Sequence, residues 1–577
     1  MPGVVRGAPW RLAALCVVLA APLLAWGQGG WFDGARPAAV ARQAVALLAD
    51  AASHGLDPAD YGAAALQAAL TAATQGPQPN AAQAARLSSA LDAAVQRYLQ
   101  HLHGGRIDPQ QVHARFPRSG PARFDAAVAL REALAAGRLD GAVAAAVPRL
   151  PLYEGLRQAL PRYRALAPHA AWSRRLPALP PARTRGRPAV LEPGQAWAGL
   201  DTLVQRLSLL GDLPPPTPVP ARASAPAASL AAPPATTPAT APATTPATSP
   251  AKARAAAPAS TPAPAPQDAG PVYEGALVAA VQAFQRRHGL ADDGVIGRAT
   301  WQALQVSPAQ RVRQIELTLE RLRWTPLLQG PRMVVINVPE FVLRAYEVQD
   351  GQVRVQQTMK VIVGRAYASR TPLFSEAMRH IEFSPYWNVP RSIAHQELVP
   401  QLRRNPGRFA ALGYEFVTGG GQVVNTLRPD LLDAVLAGSA RIRQRPGPDN
   451  ALGDIKFVFP NNDAIYLHHT PSVGLFERDR RDFSHGCIRV EDPVALARFV
   501  LARQPGWPEE RIRAAMGAGR SSVLTLDEPL PVLIAYGTAL VTQGQLRFFD
   551  DVYGYDAVLD RALRQRPRPA LPGPAPS

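Results

Sequence analysis

Apolar residues recur at helical spacing through the first third of the chain. Four stretches between residues 38 and 166 show this pattern: AAVARQAVALLADAASHGL, NAAQAARLSSALDAAVQRYLQHLHGGRIDP, ARFDAAVALREALAAG and LYEGLRQALPRYRAL. Asn80 and Asp108 stand where helix caps or turns are expected. His101, His103 and His113 lie in polar, surface-like stretches, which does not favour a zinc site. We therefore predict an all-helical scaffold domain over residues 28–185 that has no residue types for chemistry.

A second helical pattern covers residues 273–304, YEGALVAAVQAFQRRHGLADDGVIGRATWQAL. Val278, Val281 and Phe284 share one helical face, Gly289 ends that helix, and Thr300 is expected to cap the next one. The order AV-x-x-FQ, GL, DG-x-x-G and T-x-x-x-L resembles the second half of the peptidoglycan-binding domain that accompanies many cell-wall enzymes. The resemblance implies a small three-helix domain.

The missing first helix of that domain lies far upstream, in LEPGQAWAGLDTLVQRLSLLGDL at residues 191–213. Between the two flanks, residues 214–270 are almost wholly Pro, Ala, Thr and Ser. Such a composition cannot bury enough apolar surface to offset the entropy of ordering. We therefore predict a peptidoglycan-binding-like domain over residues 190–305, interrupted by a disordered insertion.

Beyond Arg332 the apolar period changes from that of helices to that of strands. Short β-branched and aromatic runs follow one another: MVVINVPEFVLRAYE, QVRVQQTMKVIVG, HIEFSPYWNVP, DIKFVFP and AIYLHHT. We predict a mostly β domain over residues 331–545, with a more helical, basic lid inserted at about 389–445. A connecting helix at 306–330 precedes this domain, and a C-terminal segment with a disordered tail, 546–577, follows it. The predicted fold class is multidomain α+β.

The first residues predict export. Arg6 and Arg11 precede an apolar run from Leu12 to Trp26, which is short for a membrane-spanning helix and typical of a signal peptide over residues 1–27. We expect the mature protein to lie in the periplasm, and an uncleaved inner-membrane anchor is the alternative. The formal charge is +18. Because the arginines are scattered and form no nucleic-acid module, we expect an anionic envelope, not nucleic acid, to attract the chain.

Cys487 is the sole cysteine outside the predicted signal, which contains Cys16. A lone thiol in an oxidising compartment is either a buried small side chain or a nucleophile, and a nucleophile needs an imidazole within reach. His468, His469 and His485 are the candidates. His468 and His469 end a predicted strand and therefore point to opposite faces, and periodicity leaves open which face holds the site.

The segment YLHHTPSVGLFERDRRDFSHGCIRVED resembles the signature of the L,D-transpeptidase family, a histidine followed by [ST]-H-G-C-[IV]-R. The stretches VIVGR, RTPLFS and HIEFSPYWNVPRSIA extend the resemblance to the large Gram-negative branch of that family. It implies that Cys487 is the nucleophile and His468 the general base, oriented by the backbone carbonyl of His469. His485 and Gly486 would shape the oxyanion pocket, with the Cys487 amide as a donor.

The resemblance also implies substrate contacts and a reaction. Arg489 would anchor the site or pair with a substrate carboxylate, and Tyr386, Trp387 and Asn388 would lie at the mouth of the cleft. Donor and acceptor would be peptidoglycan tetrapeptide stems, joined by a 3-3 cross-link through a cysteine thioester. Carbapenems would acylate the same cysteine. We expect no metal and no cofactor, and the sequence names no protein partner.

Three alternative functions are compatible with the same candidate site residues. Water as acceptor would make the protein an L,D-carboxypeptidase, and a protein amine would make it an anchoring ligase. A non-catalytic wall-binding protein would require a site that is too closed or too misaligned to react. Replacing Cys487 would separate this last class from the enzymes.

Overall fold

The computed structural model describes residues 30–116, 124–181, 186, 188–214, 271–327, 330–350, 352–366 and 369–566. The predicted signal peptide with Cys16, residues 215–270 of the predicted insertion and the predicted tail from residue 567 lie outside these residues. Within the described ranges, no helix is both long and apolar enough to cross a membrane.

The N-terminal region is helical, as predicted. Its helices are α1 (Ala39–Ala49), α2 (Ala63–Gln75), α3 (Ala81–Gly104), α4 (Ala126–Ala135), α5 (Asp140–Ala146) and α6 (Pro151–Leu166), after a hairpin of β1 (Phe32–Asp33) and β2 (Arg36–Pro37). Asn80 caps α3 through a reciprocal pair of bonds with Gln83, and Asp108 caps a 3₁₀ turn, Pro109–Gln111. The leucines and alanines of the predicted faces pack into one core.

The prediction that the N-terminal histidines lie at the surface is wrong, since even His103 is half-buried and stacks on Phe124. His113 is buried and packs edge-on against Tyr555. His101 hydrogen-bonds the Tyr61 hydroxyl at 3.0 Å, and burial lowers its pKa to about 3. The stretches look polar because their partners come from distant parts of the chain.

Three helices, α7 (Leu200–Leu210), α8 (Ala276–Arg287) and α9 (Arg298–Gln305), share one core across the gap in the described chain. Isolated bridges join Leu191 to Ile296 and Ala196 to Val272. Thr300 does not cap α9, contrary to the prediction. Gly297 occupies the cap position, while the buried Thr300 hydroxyl accepts a hydrogen bond from the Gln285 side chain at 3.3 Å.

Helix α10 (Pro308–Trp324) lies between the other units. Its apolar residues pack with α6 and with a C-terminal hairpin, β16 (Ala539–Thr542) and β17 (Gln545–Phe548). Charged residues of α10 are buried as well: Glu320 pairs with Arg106 of the scaffold, and Arg321 pairs with Asp556. The helix therefore connects the scaffold to the C-terminal half through both apolar and ionic contacts.

A nine-stranded sheet forms the C-terminal half. Its strands are β3 (Arg332–Asn337), β4 (Val342–Gln349), β5 (Gln352–Gly364), β6 (Phe374–Phe383), β11 (Ile455–Val458), β12 (Leu467–His468), β13 (Asp482–Ser484), β14 (Ile488–Val490) and β15 (Ser522–Ala535). They follow the order β13-β5-β14-β12-β11-β6-β15-β3-β4, and β4 also pairs with β5. The sheet thus closes into a barrel around an apolar interior, flanked by α15 (Pro493–Leu501) and α16 (Glu509–Met516). The mostly β fold is confirmed.

The lid between β6 and β11 has its own core and sheet. Its strands β7 (Trp387–Asn388), β8 (Tyr414–Thr418), β9 (Val423–Val424) and β10 (Ala440–Gln444) run in the order β7-β10-β8-β9. Its helices are α11 (Arg391–Ile393), α12 (Val399–Arg404), α13 (Gly407–Ala411) and α14 (Pro429–Ala437), with a π-helical turn, Ala394–Leu398, joining α11 to α12.

The chain beyond residue 545 is structured further than predicted. Strand β17 completes the hairpin, and α17 (Tyr555–Gln565) packs its apolar face on α10. Its N-terminal turn is fixed by Asp556, which accepts hydrogen bonds from Arg321 and from Thr538. Arg321 lies far away in sequence, whereas Thr538 lies 18 residues upstream on the hairpin.

Candidate active site

The register of the barrel assembles a row of polar residues across four adjacent strands. Glu382 of β6 pairs with Lys456 of β11, Lys456 with His468 of β12, and His468 with Arg489 of β14. Directly paired residues point to the same side of a sheet. Leu467 and Ile488, which alternate with His468 and Arg489, fill the barrel interior. The row therefore lies on the outer face, which answers the question that periodicity left open.

Cys487 lies at the start of β14, next to this row. The amide of Ile488 donates to the carbonyl of Tyr466 at 3.1 Å, so Cys487 is level with Tyr466 on the parallel strand. Its thiol donates to the Ala464 carbonyl at 3.6 Å. The Tyr466 side chain hydrogen-bonds the sulfur. Cys487 and His468 thus lie on the same face of the strand pair, diagonally opposed.

Electrostatics keep the proton on sulfur in this state. Burial raises the pKa of Cys487 above its ordinary value, and the bonds to Tyr466 with the charges of Lys456 and Arg489 only partly offset the effect. Burial of a thiolate is costly because the charge loses its hydration. The resting side chain is therefore a thiol, close to three groups that favour its ionised form.

His468 is a neutral imidazole. Burial and, to a smaller extent, the neighbouring Arg489 together lower its pKa to about 3, against the opposing effect of the His469 carbonyl. Its Nδ1 lies 2.5 Å from that carbonyl oxygen. Because a carbonyl can only accept, the proton is on Nδ1 and the lone pair is on Nε2. The sequence-predicted contact between His468 and the His469 carbonyl is present, and the ring has the tautomer of a base.

The His469 side chain points elsewhere. Its Nδ1 lies 2.8 Å from Oδ1 of Asp454, and its ring packs against Gly453, where a Cβ would come within 2.6 Å of the ring. Gly453 has a φ of 63°. Asn450 holds the same loop by donating to the Pro385 carbonyl at 3.0 Å. These contacts fix the backbone that presents the His469 carbonyl.

His485 connects the nucleophile segment to the lid. Its Nε2 lies 2.6 Å from Oε1 of Glu397, which belongs to the π-helical turn. Arg365 approaches the same carboxylate at 3.9 Å. The His485 side chain therefore contacts the lid, while its backbone and that of Gly486 lead into the Cys487 turn.

Arg489 is placed to receive an anion. It is partly buried, and its Nε has no hydrogen-bond partner among the described residues. Burial lowers its pKa from the ordinary arginine value, and an arginine side chain in a protein carries its charge. An unpaired buried N–H is costly, so a ligand carboxylate at this position would gain a hydrogen bond that the free protein lacks.

Tyr386, Trp387 and Asn388 lie where the barrel passes into the lid. Arg443 of β10 stacks over the Tyr386 ring at 4.2 Å, and Trp387 packs against the lid core. Asn388 is exposed and pairs with Arg443 in the lid sheet. Their predicted contact with substrate stays a prediction.

Sequence reasoning missed Tyr466, Lys456 and Glu397. Lys456 stacks over the Tyr466 ring at 4.4 Å and pairs with Glu382 at 3.2 Å. Tyr466 could have been found from its position, because strand alternation places it on the same face as His468. Lys456 and Glu397 required the strand register and the lid packing. Among the residues that the structure describes, no group of three or more His, Cys, Asp or Glu side chains could hold a metal.

Three family models match the chain. Residues 331–518 match the "L,D-transpeptidase catalytic domain", residues 27–160 the "Scaffold domain" and residues 264–304 the "Putative peptidoglycan binding domain". The chain is therefore a multidomain protein with an L,D-transpeptidase catalytic domain, a scaffold domain and a peptidoglycan-binding domain.

Among curated proteins, the chain is homologous to a "Putative L,D-transpeptidase" of Haemophilus influenzae, with 31% identity over 250 residues. The match covers 43% of this chain and 49% of that protein, about half of its length. A weaker match, 23% identical over 108 residues, is to "Epoxide hydrolase 1" of Sus scrofa and covers 19% of this chain and 24% of that protein. A solved L,D-transpeptidase of Stackebrandtia nassauensis matches 46% of this chain and 84% of its own, at 12% identity and a TM-score of 0.19. The last two are too distant to carry an argument.

Proposed function

We propose that the protein is a peptidoglycan L,D-transpeptidase that forms 3-3 cross-links, with Cys487 as nucleophile and His468 as general base. The observation that carries the proposal is the register of β12 and β14. It brings a neutral imidazole that holds its proton on Nδ1, the Cys487 thiol and an incompletely bonded arginine to one outer face of the barrel. This is the set of groups that acyl transfer through a thioester requires.

In the first half-reaction, Nε2 of His468 takes the thiol proton as Sγ attacks the carbonyl at the L-centre of meso-diaminopimelate in a tetrapeptide stem. The C–N bond to the terminal D-alanine then breaks, and its amine leaves with the proton from His468. A thioester on Cys487 remains. In the second half-reaction, the side-chain amine of another stem's diaminopimelate attacks the thioester and gives a proton to the sulfur through His468, which restores the thiol.

The electrostatics of the free site support a coupled proton transfer. The imidazole is neutral and the thiol is protonated, so neither carries a charge before substrate binds. When the proton moves, Lys456 and Arg489 face the new thiolate. Tyr466 hydrogen-bonds the same sulfur. Charge stabilisation is thus concentrated where negative charge develops.

The proposal extends to location and inhibition. The charged and apolar pattern of residues 1–27 supports export to the periplasm, where the wall is made, with anchoring in the inner membrane as the alternative. There the enzyme would contribute to wall biogenesis and cell shape. A carbapenem presents a strained acyl donor to the same thiol, and we propose Cys487 as its covalent target.

Incubation of the purified protein with disaccharide-tetrapeptide, followed by mass spectrometry, tests the reaction. We expect a cross-linked dimer that has lost one D-alanine, and none with Cys487→Ala. His380→Gln is the matched histidine control for His468→Gln, because His380 lies on β6 and pairs with Glu382 at 3.7 Å without contacting the thiol in the described structure. Only the His468 variant should lose activity.

The remaining outcomes separate the alternatives. Monomer shortened by one alanine would mean that water accepts the acyl group. Unchanged substrate with no mass adduct after prolonged exposure to a carbapenem would refute the catalytic proposal and favour a wall-binding protein. An anchoring ligase would instead form an adduct only when a protein amine is supplied.

A further inference from the structure

The peptide that precedes the nucleophile is held by a side chain outside the signature. The Thr371 hydroxyl donates to the Gly486 carbonyl at 2.8 Å. The same hydroxyl accepts from the Gly364 amide, also at 2.8 Å. Because the Gly364 amide is bound to a lone pair of the Thr371 hydroxyl oxygen, the hydroxyl proton is directed at the Gly486 carbonyl. Thr371 is fully buried, so water does not compete for this bond.

A tyrosine of the C-terminal segment fixes the threonine in turn. The Tyr553 hydroxyl accepts from the Thr371 amide at 3.1 Å and donates to the Gly364 carbonyl at 2.7 Å. The Tyr553 amide itself donates to the Tyr536 hydroxyl at 2.9 Å. This chain of buried bonds runs from the C-terminal segment to the turn at Gly486, and it leaves Thr371 little freedom to turn away.

The geometry of a peptide plane links this network to the proposed chemistry. The Gly486 carbonyl and the Cys487 amide belong to one trans peptide, in which C=O and N–H point in opposite directions. Gly486 has a φ of 121°, a conformation that side-chain-bearing residues rarely adopt. Without a constraint, the plane of such a residue could rotate readily. Holding the carbonyl on Thr371 therefore also sets the direction of the Cys487 N–H.

We propose that Thr371 is a positioning residue that aims the Cys487 amide at the oxyanion of the acyl-transfer transition state, with Tyr553 as its support. The inference rests on the proposed function, because it concerns the donor that the thioester chemistry would use. An oxyanion donor acts only when its N–H points at the position where charge develops. Thr371 acts only by fixing the direction of the Cys487 N–H and need not touch substrate.

Thr371→Val keeps the shape of the side chain and removes the hydroxyl, while Thr371→Ser restores it. With disaccharide-tetrapeptide as substrate, we expect Thr371→Val to lower kcat by about ten- to a hundredfold, less than or comparable to the loss of a whole oxyanion donor, with little change in KM. Thr371→Ser should recover most of the activity. Ser369→Ala is the matched control, because Ser369 bonds the Ser484 carbonyl at 3.1 Å in the same loop without holding Gly486.

The rate at which iodoacetamide alkylates Cys487 distinguishes a role of Thr371 in aiming the amide from a merely structural role. This reagent reacts at a saturated carbon and forms no oxyanion, so Thr371→Val should be alkylated at the wild-type rate while its acylation by a carbapenem slows. Equal losses in alkylation and acylation, or unchanged acylation, would overturn the inference. If the valine variant does not fold, Tyr553→Phe applies the same comparison. A wild-type protein that is alkylated at Cys487 but never acylated would instead refute the proposed function.

Discussion

Removing the buried charge of Glu320 should destabilise the protein strongly. Glu320 is fully buried in α10, and its Oε2 lies 2.8 Å from Nη1 of Arg323 and 3.1 Å from Nε of Arg106. The Arg106 backbone amide donates to the other oxygen. Glu320→Gln preserves the shape but leaves two buried arginines without their counter-charge, which is the costly way to break a buried ion pair.

The pKa of Glu320 gives the magnitude. Burial alone would raise this pKa, but Arg106 and Arg323 together lower it from 4.5 to about 2. At about 1.4 kcal/mol for each tenfold change, that difference corresponds to about 3 kcal/mol of stability, within the range of about 3–5 kcal/mol for a broken buried pair. Because the pKa is lowered on folding, the contribution is present above pH 4.5 and is lost as the pH falls towards 2.

Urea unfolding followed by tryptophan fluorescence is the assay, since Trp324 lies on the same helix. At pH 7, Glu320→Gln should lose about 3 kcal/mol, and the gap to wild type should shrink between pH 4.5 and 2. The matched control is Asp292→Asn, which removes an exposed ion pair with Arg286 and should cost less than about 1 kcal/mol. Equal losses in the two variants at pH 7, or a gap that does not depend on pH, would refute the reasoning.

Three further predictions concern the active site. Burial raises the pKa of Cys487, and Lys456 partly offsets this rise. The rate of iodoacetamide alkylation should therefore increase with pH to beyond 9, and Lys456→Gln should move the midpoint of this pH profile higher. A wild-type midpoint below pH 8 would contradict this. Because the pKa of His468 is about 3, kcat/KM should show no acidic limb near pH 6.5 and should fall only as the pH approaches 3. A decline of kcat/KM centred at pH 6.5 would instead show that the base is solvated. Glu397→Gln removes the carboxylate charge from the contact with His485, so hydrogen exchange in the π-helical turn should speed up while that in the barrel stays unchanged; slower or uniform exchange would contradict a role of this contact in holding the lid.

Local patterns were sufficient for the class of most elements. The helical and strand periods predicted the class of each region, while the candidate pair of His468 and Cys487 came from the resemblance to the L,D-transpeptidase signature. What the patterns could not decide was the face on which the pair meets. That face depends on the parallel pairing of β12 with β14. The register of strands that are distant in sequence cannot be read from the local sequence of either strand.

The misses have the same physical origin. Thr300 has the residue type of a cap, but Gln285 on another helix takes its hydroxyl into the core. His101 and His113 stand among polar neighbours, yet distant aromatic residues cover them. Lys456 entered the site only through the register with His468. In each case a long-range contact outweighed the local preference.

The bridges around the small helical domain have a consequence for engineering. Leu191 with Ile296 and Ala196 with Val272 bring the two flanks of residues 215–270 into one core, so this segment begins and ends on the same folded unit. The free energy of closing a flexible loop grows only with the logarithm of its length, about 0.6 kcal/mol for each doubling. Because the composition of residues 215–270 predicts disorder, we expect that halving the segment, or splicing a reporter domain into it, leaves the stability of the core nearly unchanged, which makes it a practical site for a label or an affinity handle.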